Sequence, residues 1–332
     1  MRLECHRSHA DRSLRVLIPG RFEPEWPPVI HLLALLGVIA ISFSAVFVRL
    51  AGVSPVTATF FRTAYALPVL LAGWLAVRHR DTRTRRERLL AFAAGFILAV
   101  DLSLWHRTID LLGVGLSTVV TNVQVVFVGL AAWLWHKERP SRLAFPMIAV
   151  VLAGVVLISG LDRPGAYGRD PVAGALTGAL AGVSYAAFLL VFRQSNRRLA
   201  PAFGPLFDAT LAAAAGALLF SPLDPGFSLA IVWPAHGWLL ALALVSQAGG
   251  WSLIATALPR LPALETSVLL LVQPVGAVCW GLLFFGEDLS WLQWTGVSLV
   301  LAGVATLTIH GSVSRVRASN REALAATGTV TG

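Results

Sequence analysis

Long apolar stretches fill most of this chain, and short polar segments separate them. Ten of these stretches carry few charged residues. Each is about 20 residues long, which at ~1.5 Å per residue matches the ~30 Å hydrocarbon core of a bilayer. They cover approximately 29–50, 55–77, 88–109, 114–135, 142–160, 172–192, 203–221, 237–257, 263–285 and 290–310. The pattern predicts an all-α membrane protein with ten transmembrane helices.

An internal repeat relates the two ends of this pattern. Residues 117–158 align without a gap on residues 266–307, 149 positions later, with 13 identities in 42 positions. The identities include Gln124 on Gln273, a polar match that two unrelated apolar helices would not readily give. We therefore predict two copies of one five-helix unit. Because five is an odd number, the second copy must be inverted in the membrane, an arrangement that recurs in secondary transporters.

The repeat and the polar ends divide the chain into four predicted parts. These are a cytoplasmic tail at 1–28, a first five-helix repeat at 29–160, a second at 172–310, and a cytoplasmic tail at 311–332. The first tail is polar with mixed charges, and its apolar run is too short for the core of an export signal.

Composition agrees with a membrane protein. The chain has 332 residues, of which 56% are hydrophobic and 13% charged, and its mean hydropathy is +0.74. Soluble domains have roughly 25% charged residues, so a soluble fold would lack the polar surface to cover so much apolar sequence. Cys5 and Cys279 are the two cysteines, and they supply neither a disulfide framework nor a metal-ligand set.

The basic residues predict the orientation. With the N-terminus inside, the cytoplasmic segments hold 21 Lys and Arg residues and the opposite side holds 4; Arg62, within a span, completes the 26. By the positive-inside rule both termini are cytoplasmic. The net charge of +9 is thus a topology signal and not a nucleic-acid footprint. The basic block at 78–88 fits a solvated orienting loop, and contact with anionic lipid headgroups is the alternative.

A sequence motif in the second repeat resembles a known family. A Gln-Pro pair is followed by Gly-Glu-x-Leu-Ser-x-x-Gln-x-x-Gly and then Val-Leu-Ala-Gly. Its residues are Gln273, Pro274, Gly286, Glu287, Leu289, Ser290, Gln293, Gly296, Val300, Leu301, Ala302 and Gly303. A second feature is a proline at the start of the second span that is followed by an arginine within it, here Pro55 and Arg62.

This pattern is similar to the EamA-type domain of the drug/metabolite transporter superfamily, over roughly 30–310. The first repeat departs from it, with Val125 in place of the proline and Lys137 in place of the glycine. The resemblance implies a ten-helix secondary transporter for a small metabolite or drug-like compound. Export is the direction that it favours.

Asp101 is the main candidate for a substrate-binding residue. It falls near the middle of the third span, where a charged side chain is costly and is therefore a functional hypothesis by default. A carboxylate there can bind a cationic group or exchange a proton; a hydrogen bond that holds the helix bundle together is the alternative. Trp105 lies one turn away on the same helical face. His106 and Arg107 follow, nearer the outer end, where an interfacial position is expected.

Further polar and aromatic residues within the spans complete the predicted substrate site. Gln124 and Gln273 lie near the centres of their spans and are related by the repeat, so two amides can line one cavity; hydrogen bonds between helices are the alternative. The full predicted set is Asp101, Trp105, Asn122, Gln124, Tyr185, Gln247, Trp251 and Gln273.

Other charged residues in or near the spans are interpreted as structural. Glu138 and Glu287 fall at turns, where they are expected to cap helix ends or orient the loops. Arg62 and Asp208 lie toward opposite surfaces, so a direct pair between them is not expected.

These features predict a multi-pass transporter of the inner membrane that works by alternating access, with no cofactor and no catalytic residues. Its partners are a small-molecule substrate and membrane lipids; the sequence does not give the oligomeric state. Proton coupling through Asp101 is a further hypothesis. The chain contains no GxxxxGK[ST] loop, so it carries no ATP-binding signature.

Two alternatives remain open. One is a membrane-embedded enzyme acting on lipids, with His106, Asp101 and Asp110 as an acid–base set, although these carboxylates are about 13 Å apart along a helix and no HExxH spacing occurs. The other is a scaffold or sensor that does not transport.

Overall fold

The structure of the protein is a computed structural model, and it describes residues 28–136, 143–159, 166–196, 201–257, 260–261 and 263–328. These residues form α-helices with short connections and no strand. The helices are α1 Pro28–Ser42, α2 Ser44–Ala51, α3 Pro55–Val77, α4 Arg85–Leu112, α5 Val114–Thr121, α6 Gln124–His136, α7 Ala144–Ile158, α8 Pro171–Ser195, α9 Phe203–Phe220, α10 Ala235–Ala241, α11 Trp251–Ala257, α12 Ala263–Phe285 and α13 Trp291–Gly328.

Eight helical stretches in this part of the chain are long and apolar enough to cross a membrane. Two shorter apolar helices, Ala144–Ile158 and Leu269–Phe285, lie at the fifth and ninth predicted spans. The prediction of an all-α membrane protein is confirmed. Ten membrane crossings and an inverted repeat remain predictions.

Three of the long apolar stretches contain a local break. Phe43 separates α1 from α2, and a turn at 122–123 separates α5 from α6. Between α10 and α11 the helix widens into a π-helix at Leu242–Gly250. Wide turns of this kind shift the direction of the side chains that follow and are common at functional sites.

Two predicted segments differ from, or fall outside, the described structure. Helix α13 runs without interruption to Gly328, so the segment at 311–332 predicted as a tail begins as a helical continuation of the last span. Residues 1–27 of the tail predicted at 1–28, and the turn containing Glu138, lie outside the described residues, while Pro28 begins α1.

The two halves of the sequence pack closely against each other. Helix α4 runs along both α8 and α9, and α3 also packs on α9. Helix α5 packs on α12, and α7 packs on α13. Small residues permit these approaches: a Cβ on Gly95 in α4 would overlap with the carbonyl oxygen of Ala209 in α9. The interior of the molecule is therefore built largely from contacts between the halves.

Glu287 ties the halves together at one end, which we call the Glu287 end. Its side chain is buried, and its carboxylate accepts hydrogen bonds from the backbone N–H groups of Val114 and Gly115 at the start of α5, the second at 2.9 Å. Burial raises the pKa of Glu287, while these hydrogen bonds and the charge of Arg49 act in the opposite direction. The carboxylate therefore caps a helix in the other half.

A charge cluster ties the halves at the opposite end, which we call the Asp208 end. The guanidinium of Arg83 bonds to Asp81 at 2.8 Å and lies 3.0 Å from the carboxylate of Asp208 on α9, and Arg88 contacts Asp208 at 3.3 Å. The Arg83 side chain is fully buried. The basic block at 78–88 is therefore not entirely solvated, because one of its arginines is an internal structural residue.

Candidate functional site

Arg62 lies at the centre of a polar group inside the helix bundle. It projects from α3, where it is 3% exposed, and its Nε donates a hydrogen bond to Oε1 of Gln247 at 2.8 Å. Its guanidinium lies over the ring of Trp105 on α4, 5.8 Å from the ring centroid. An arginine can be held in such surroundings because an amide oxygen and an aromatic face both interact favourably with its charge.

Asp101 supplies the opposite charge. It is a buried residue of α4, one turn before Trp105, and its carboxylate interacts electrostatically with the guanidinium of Arg62. Tyr185 of α8 belongs to the same electrostatic group. Opposite charges in an apolar interior interact more strongly than in water, because little solvent screens them. The group therefore holds a buried cation and a buried anion that interact electrostatically within the bundle.

Aromatic side chains from the second half form a wall beside these charges. The ring of Tyr185 contacts that of Trp251 edge-on with centroids 6.4 Å apart, and Phe188 contacts both rings. Tyr185 and Phe188 lie one turn apart on α8, and Trp251 begins α11 directly after the π-helix. Such a wall suits the apolar part of a small substrate.

The π-helix positions Gln247. Oε1 of Gln247 accepts a hydrogen bond from Arg62 in the first half, while Nε2 of Gln247 lies 3.4 Å from the hydroxyl oxygen of Thr210 on α9. The amide therefore uses both of its ends, and it fixes Arg62 relative to two elements of the second half.

A second polar group adjoins the first along α4. His106 is 1% exposed, and its Nδ1 lies 3.1 Å from the carbonyl oxygen of Pro55 and 3.0 Å from the hydroxyl of Thr59. His106 therefore does not reach a surface of the protein, because α3 packs over it; its depth in the membrane stays a prediction. Its neighbour Arg107 is exposed.

Five of the eight predicted site residues meet around Arg62: Asp101, Trp105, Tyr185, Gln247 and Trp251. The remaining three make no hydrogen bond or ring contact with the described residues of this group. Asn122 donates to the carbonyl of Thr118 in its own helix at 2.7 Å. Gln124 begins α6, and Gln273 lies half-buried in α12.

Arg62 is the residue of this group that sequence reasoning did not include. Its position in the outer third of a span led to the interpretation that it is structural, and its charge was not considered. The signal that identifies it is the same one that identified Asp101, an ionisable residue within a span.

Several buried polar atoms of the described residues have no hydrogen-bond partner in the protein. They are Oγ of Ser44, Nη1 of Arg62, Nε2 of His106, Oε1 of Gln124 and Oγ of Ser252. Nη1 of Arg83 also lacks a hydrogen bond of good geometry, but it forms the ion pair with Asp208 at 3.0 Å. Buried polar groups are nearly always satisfied by protein, water or ligand. Arg62 therefore has hydrogen-bonding capacity left for a bound molecule. Among the described residues, no three or more His, Cys, Asp or Glu side chains come together in a group able to hold a metal.

Comparisons with known proteins agree with this architecture. The model of the EamA-like transporter family matches residues 29–160 and 172–309. The chain is 29% identical over 303 residues to the threonine/homoserine exporter RhtA of Escherichia coli K12, covering 88% of this chain and 96% of the relative. It is 26% identical over 246 residues to the uncharacterized transporter YwfM of Bacillus subtilis, covering 72% and 79%.

A protein of known crystal structure shares the fold. The two chains superpose with a TM-score of 0.59 at 17% sequence identity, and the match covers 86% of this chain and 98% of the other.

Proposed function

Because the chain belongs to the EamA-like transporter family, we propose that it is a secondary transporter that exports a small zwitterionic metabolite across the inner membrane by alternating access. The observation that carries the proposal is the buried guanidinium of Arg62, which interacts electrostatically with the buried carboxylate of Asp101 where the first half packs on the second. A small solute with both a carboxylate and an ammonium group matches these two charges.

The chemistry of the pair supports this substrate class. A guanidinium binds a carboxylate through paired hydrogen bonds, and Nη1 of Arg62 has no partner in the protein. Asp101 can hold the ammonium group, and the aromatic wall of Tyr185 and Trp251 can cover the side chain. The relative named as a threonine/homoserine exporter handles solutes with both charges, which fits the same class.

Two inverted five-helix repeats are part of the proposal, and the contacts between helices support them. If the halves are related by a two-fold axis, each contact between them must recur with the partners exchanged. The third span of the first half, α4, packs on α8, which is the first span of the second half. In the exchanged contact, α11, which belongs to the third span of the second half, packs on α1, which belongs to the first span of the first half. The fourth spans repeat the exchange: α6 of the first half packs on α8, and α12 of the second half packs on α1. The family match in two segments agrees with this division.

Glycines on the fifth helix of each half repeat this exchange at single residues. A Cβ on Gly154 would meet the carbonyl oxygen of Gly296 and the side chain of Val300. A Cβ on Gly303, its equivalent 149 positions later, would meet the carbonyl oxygen of Met147 and the side chain of Val151. Met147 and Val151 are in turn the equivalents of Gly296 and Val300. The contact is reciprocal, as two-fold symmetry requires.

Proton coupling through Asp101 is the energetic part of the proposal. A carboxylate at this depth can take a proton when the substrate leaves and release it on the other side, so that one proton moves against one solute. Both termini are proposed to lie in the cytoplasm, and bilayer lipids surround the apolar helices.

The test is counterflow and pH-gradient-driven uptake of a mixed amino-acid pool in proteoliposomes, with the solutes identified by mass spectrometry. We expect wild type to enrich zwitterionic amino acids, Arg62→Gln to lose transport, and Asp101→Asn to lose the response to the pH gradient. Asp288→Asn is the matched control, because Asp288 is an exposed carboxylate beside Glu287. Gradient-driven transport that persists in Asp101→Asn would overturn the coupling, and no enrichment of any solute would favour a scaffold or sensor.

The enzyme alternative is not retained. The chain belongs to a family of transporters, and the three residues proposed for catalysis do not form one group. Asp101 interacts electrostatically with Arg62, while Asp110 interacts electrostatically with Arg49, Arg107 and Arg169 nearer the Glu287 end.

A further inference from the structure

A polar cavity opens at the Glu287 end of the molecule. Its volume is about 980 Å³, within the usual range for a pocket that holds a small molecule. Three arginines line it from three separate elements: Arg49 on α2, Arg107 on α4 and Arg169 in the connection before α8. None of the three makes a side-chain hydrogen bond, or an ion pair within 4.0 Å, to another described residue.

The carboxylates around this cavity leave part of its positive charge unmatched. Asp224 lines the cavity, but its Oδ2 accepts from the backbone N–H of Val56 at 2.9 Å and its Oδ1 from that of Gly226 at 3.1 Å. Glu287 lies behind the wall and caps α5. Asp110 remains, and it interacts electrostatically with all three arginines. Two lining carboxylates therefore face three guanidinium groups, and of the two only Asp110 accepts no hydrogen bond from the described backbone.

The connection that carries Arg169 is fixed and not a free loop. The backbone N–H of Tyr167 donates to Oε1 of Gln293 at 2.8 Å, and Nε2 of Gln293 donates back to the carbonyl of Tyr167 at 2.8 Å. The N–H of Asp170 donates to the carbonyl of Leu111 at the end of α4. The backbone at Arg169 is thereby held beside α4, so this arginine is preorganised toward the cavity.

The cavity lies on the same two helices as the central charged pair. Pro55 lines it, and Arg62 follows seven residues later on α3, about 10 Å along the helix. Asp110 lies nine residues after Asp101 on α4, about 13 Å away. The contact of His106 with the carbonyl of Pro55 stands between the two sites. A solute passing between the central pair and the solution at this end would meet the arginines.

We propose that this cavity is a second substrate site, a vestibule in which Arg49, Arg107 and Arg169 bind the carboxylate of the transported solute while Asp110 faces its ammonium group. The inference rests on the proposed function, because it concerns the path of that function's substrate. It assigns carboxylate binding to a site at the Glu287 end of the path as well as to Arg62.

The test is equilibrium exchange of labelled L-threonine in phosphatidylcholine liposomes. We compare wild type with Arg107→Gln, Arg169→Gln and the double variant, with Arg193→Gln as the control, an exposed arginine near the far end of α8. We expect each single variant to raise the half-saturating concentration about threefold, the double variant more, and the control not at all. Arg107→Lys should restore most of the affinity.

Two further measurements separate electrostatics from structure. In wild type the half-saturating concentration should rise with ionic strength, and this dependence should weaken in the double variant, because screening acts only on charges that are present. L-threoninamide, which lacks the carboxylate, should compete poorly with threonine in wild type, and the difference should narrow in the double variant.

The outcomes distinguish the two proposals. Absence of exchange in wild type with any amino acid would count against the proposed function itself. Exchange in wild type with unchanged affinity, salt dependence and selectivity in the arginine variants would overturn the vestibule alone. The arginines would be assigned to lipid headgroups if the variants differ from wild type only in liposomes that contain phosphatidylglycerol.

Discussion

Arg62 depends on a few neighbours for its place in the interior, because a buried guanidinium must be matched in charge and in hydrogen bonds. Asp101 supplies the charge, Trp105 the aromatic face, and Gln247 the acceptor for Nε. Nη1 remains without a partner. At the scale of single residues, the site is therefore held on one side and open to a ligand on the other.

Gln247→Leu should lower both stability and substrate affinity. The substitution keeps most of the volume but removes the acceptor at 2.8 Å from Nε of Arg62. Loss of a hydrogen bond to a charged group costs about 1.5–3 kcal/mol. Thermal unfolding in detergent and the half-saturating concentration for threonine measure the two effects. Gln247→Glu keeps an acceptor and should retain more stability, whereas a Leu variant as stable as wild type would contradict the contact.

Glu287→Ala should destabilise the protein much more than Asp288→Ala. The first variant removes both acceptors from the backbone N–H groups of Val114 and Gly115 and leaves these buried donors unpaired, at a cost of about 1–3 kcal/mol. The second removes an exposed carboxylate from the next residue. Thermal unfolding of the two variants is the measurement, and equal midpoints would argue against the cap.

At the scale of elements, close contact between helices requires small residues, glycine or alanine, at the points where the helices approach. Helices α4 and α9 approach at Gly95 and Ala209, and again at Ala99 and Gly216. In a membrane, such contacts replace the hydrophobic effect as the source of association between helices, because lipid tails are as apolar as the side chains. The approach of α4 to α9 also brings Asp101 next to elements of the second half.

Gly95→Ala should therefore be destabilising, whereas Gly129→Ala should not. A methyl group on Gly95 would overlap with the backbone oxygen of Ala209, and backbone cannot move aside as a flexible side chain can. The strain from such overpacking is typically about 1–3 kcal/mol. A methyl group on Gly129 in α6 meets no atom within 4 Å and improves helix propensity. Unfolding midpoints in the same detergent test the pair, and a Gly95→Ala protein as stable as wild type would refute the close contact.

At the scale of the whole molecule, function depends on how the halves are arranged about the central pair. Glu287 joins them at one end and the cluster of Asp81, Arg83 and Asp208 at the other. Alternating access requires that contacts at one end open while those at the other persist. The two ties have different chemistry, a carboxylate on backbone amides and a set of ion pairs.

Both termini should face the cytoplasm, and the connection at Gly286–Ser290 should face the opposite side. This follows from 21 basic residues against 4 under the positive-inside rule. Fusion of green fluorescent protein and alkaline phosphatase to the C-terminus, and labelling of a cysteine introduced at exposed Asp288, measure the two positions. If the N-terminus is inside, a C-terminus on the periplasmic side would require an odd number of crossings. That result would contradict two repeats of five spans each.

The sequence by itself determined the class of the protein, because crossing a bilayer needs about 20 apolar residues in a row and such runs are visible without a structure. The all-α architecture and the family followed from these runs and the motif at Glu287. Asp101 was identified for the same local reason, the cost of a charge in hydrocarbon.

The tertiary structure decided which polar residues meet. Arg62 and Asp101 are 39 positions apart, and their electrostatic interaction depends on how α3 lies against α4. Gln247 reaches Arg62 through a π-helix that apolar periodicity does not reveal. The partners of Glu287 and of the arginines around the cavity come from distant segments, since packing between helices fixes positions that hydropathy along one helix leaves open.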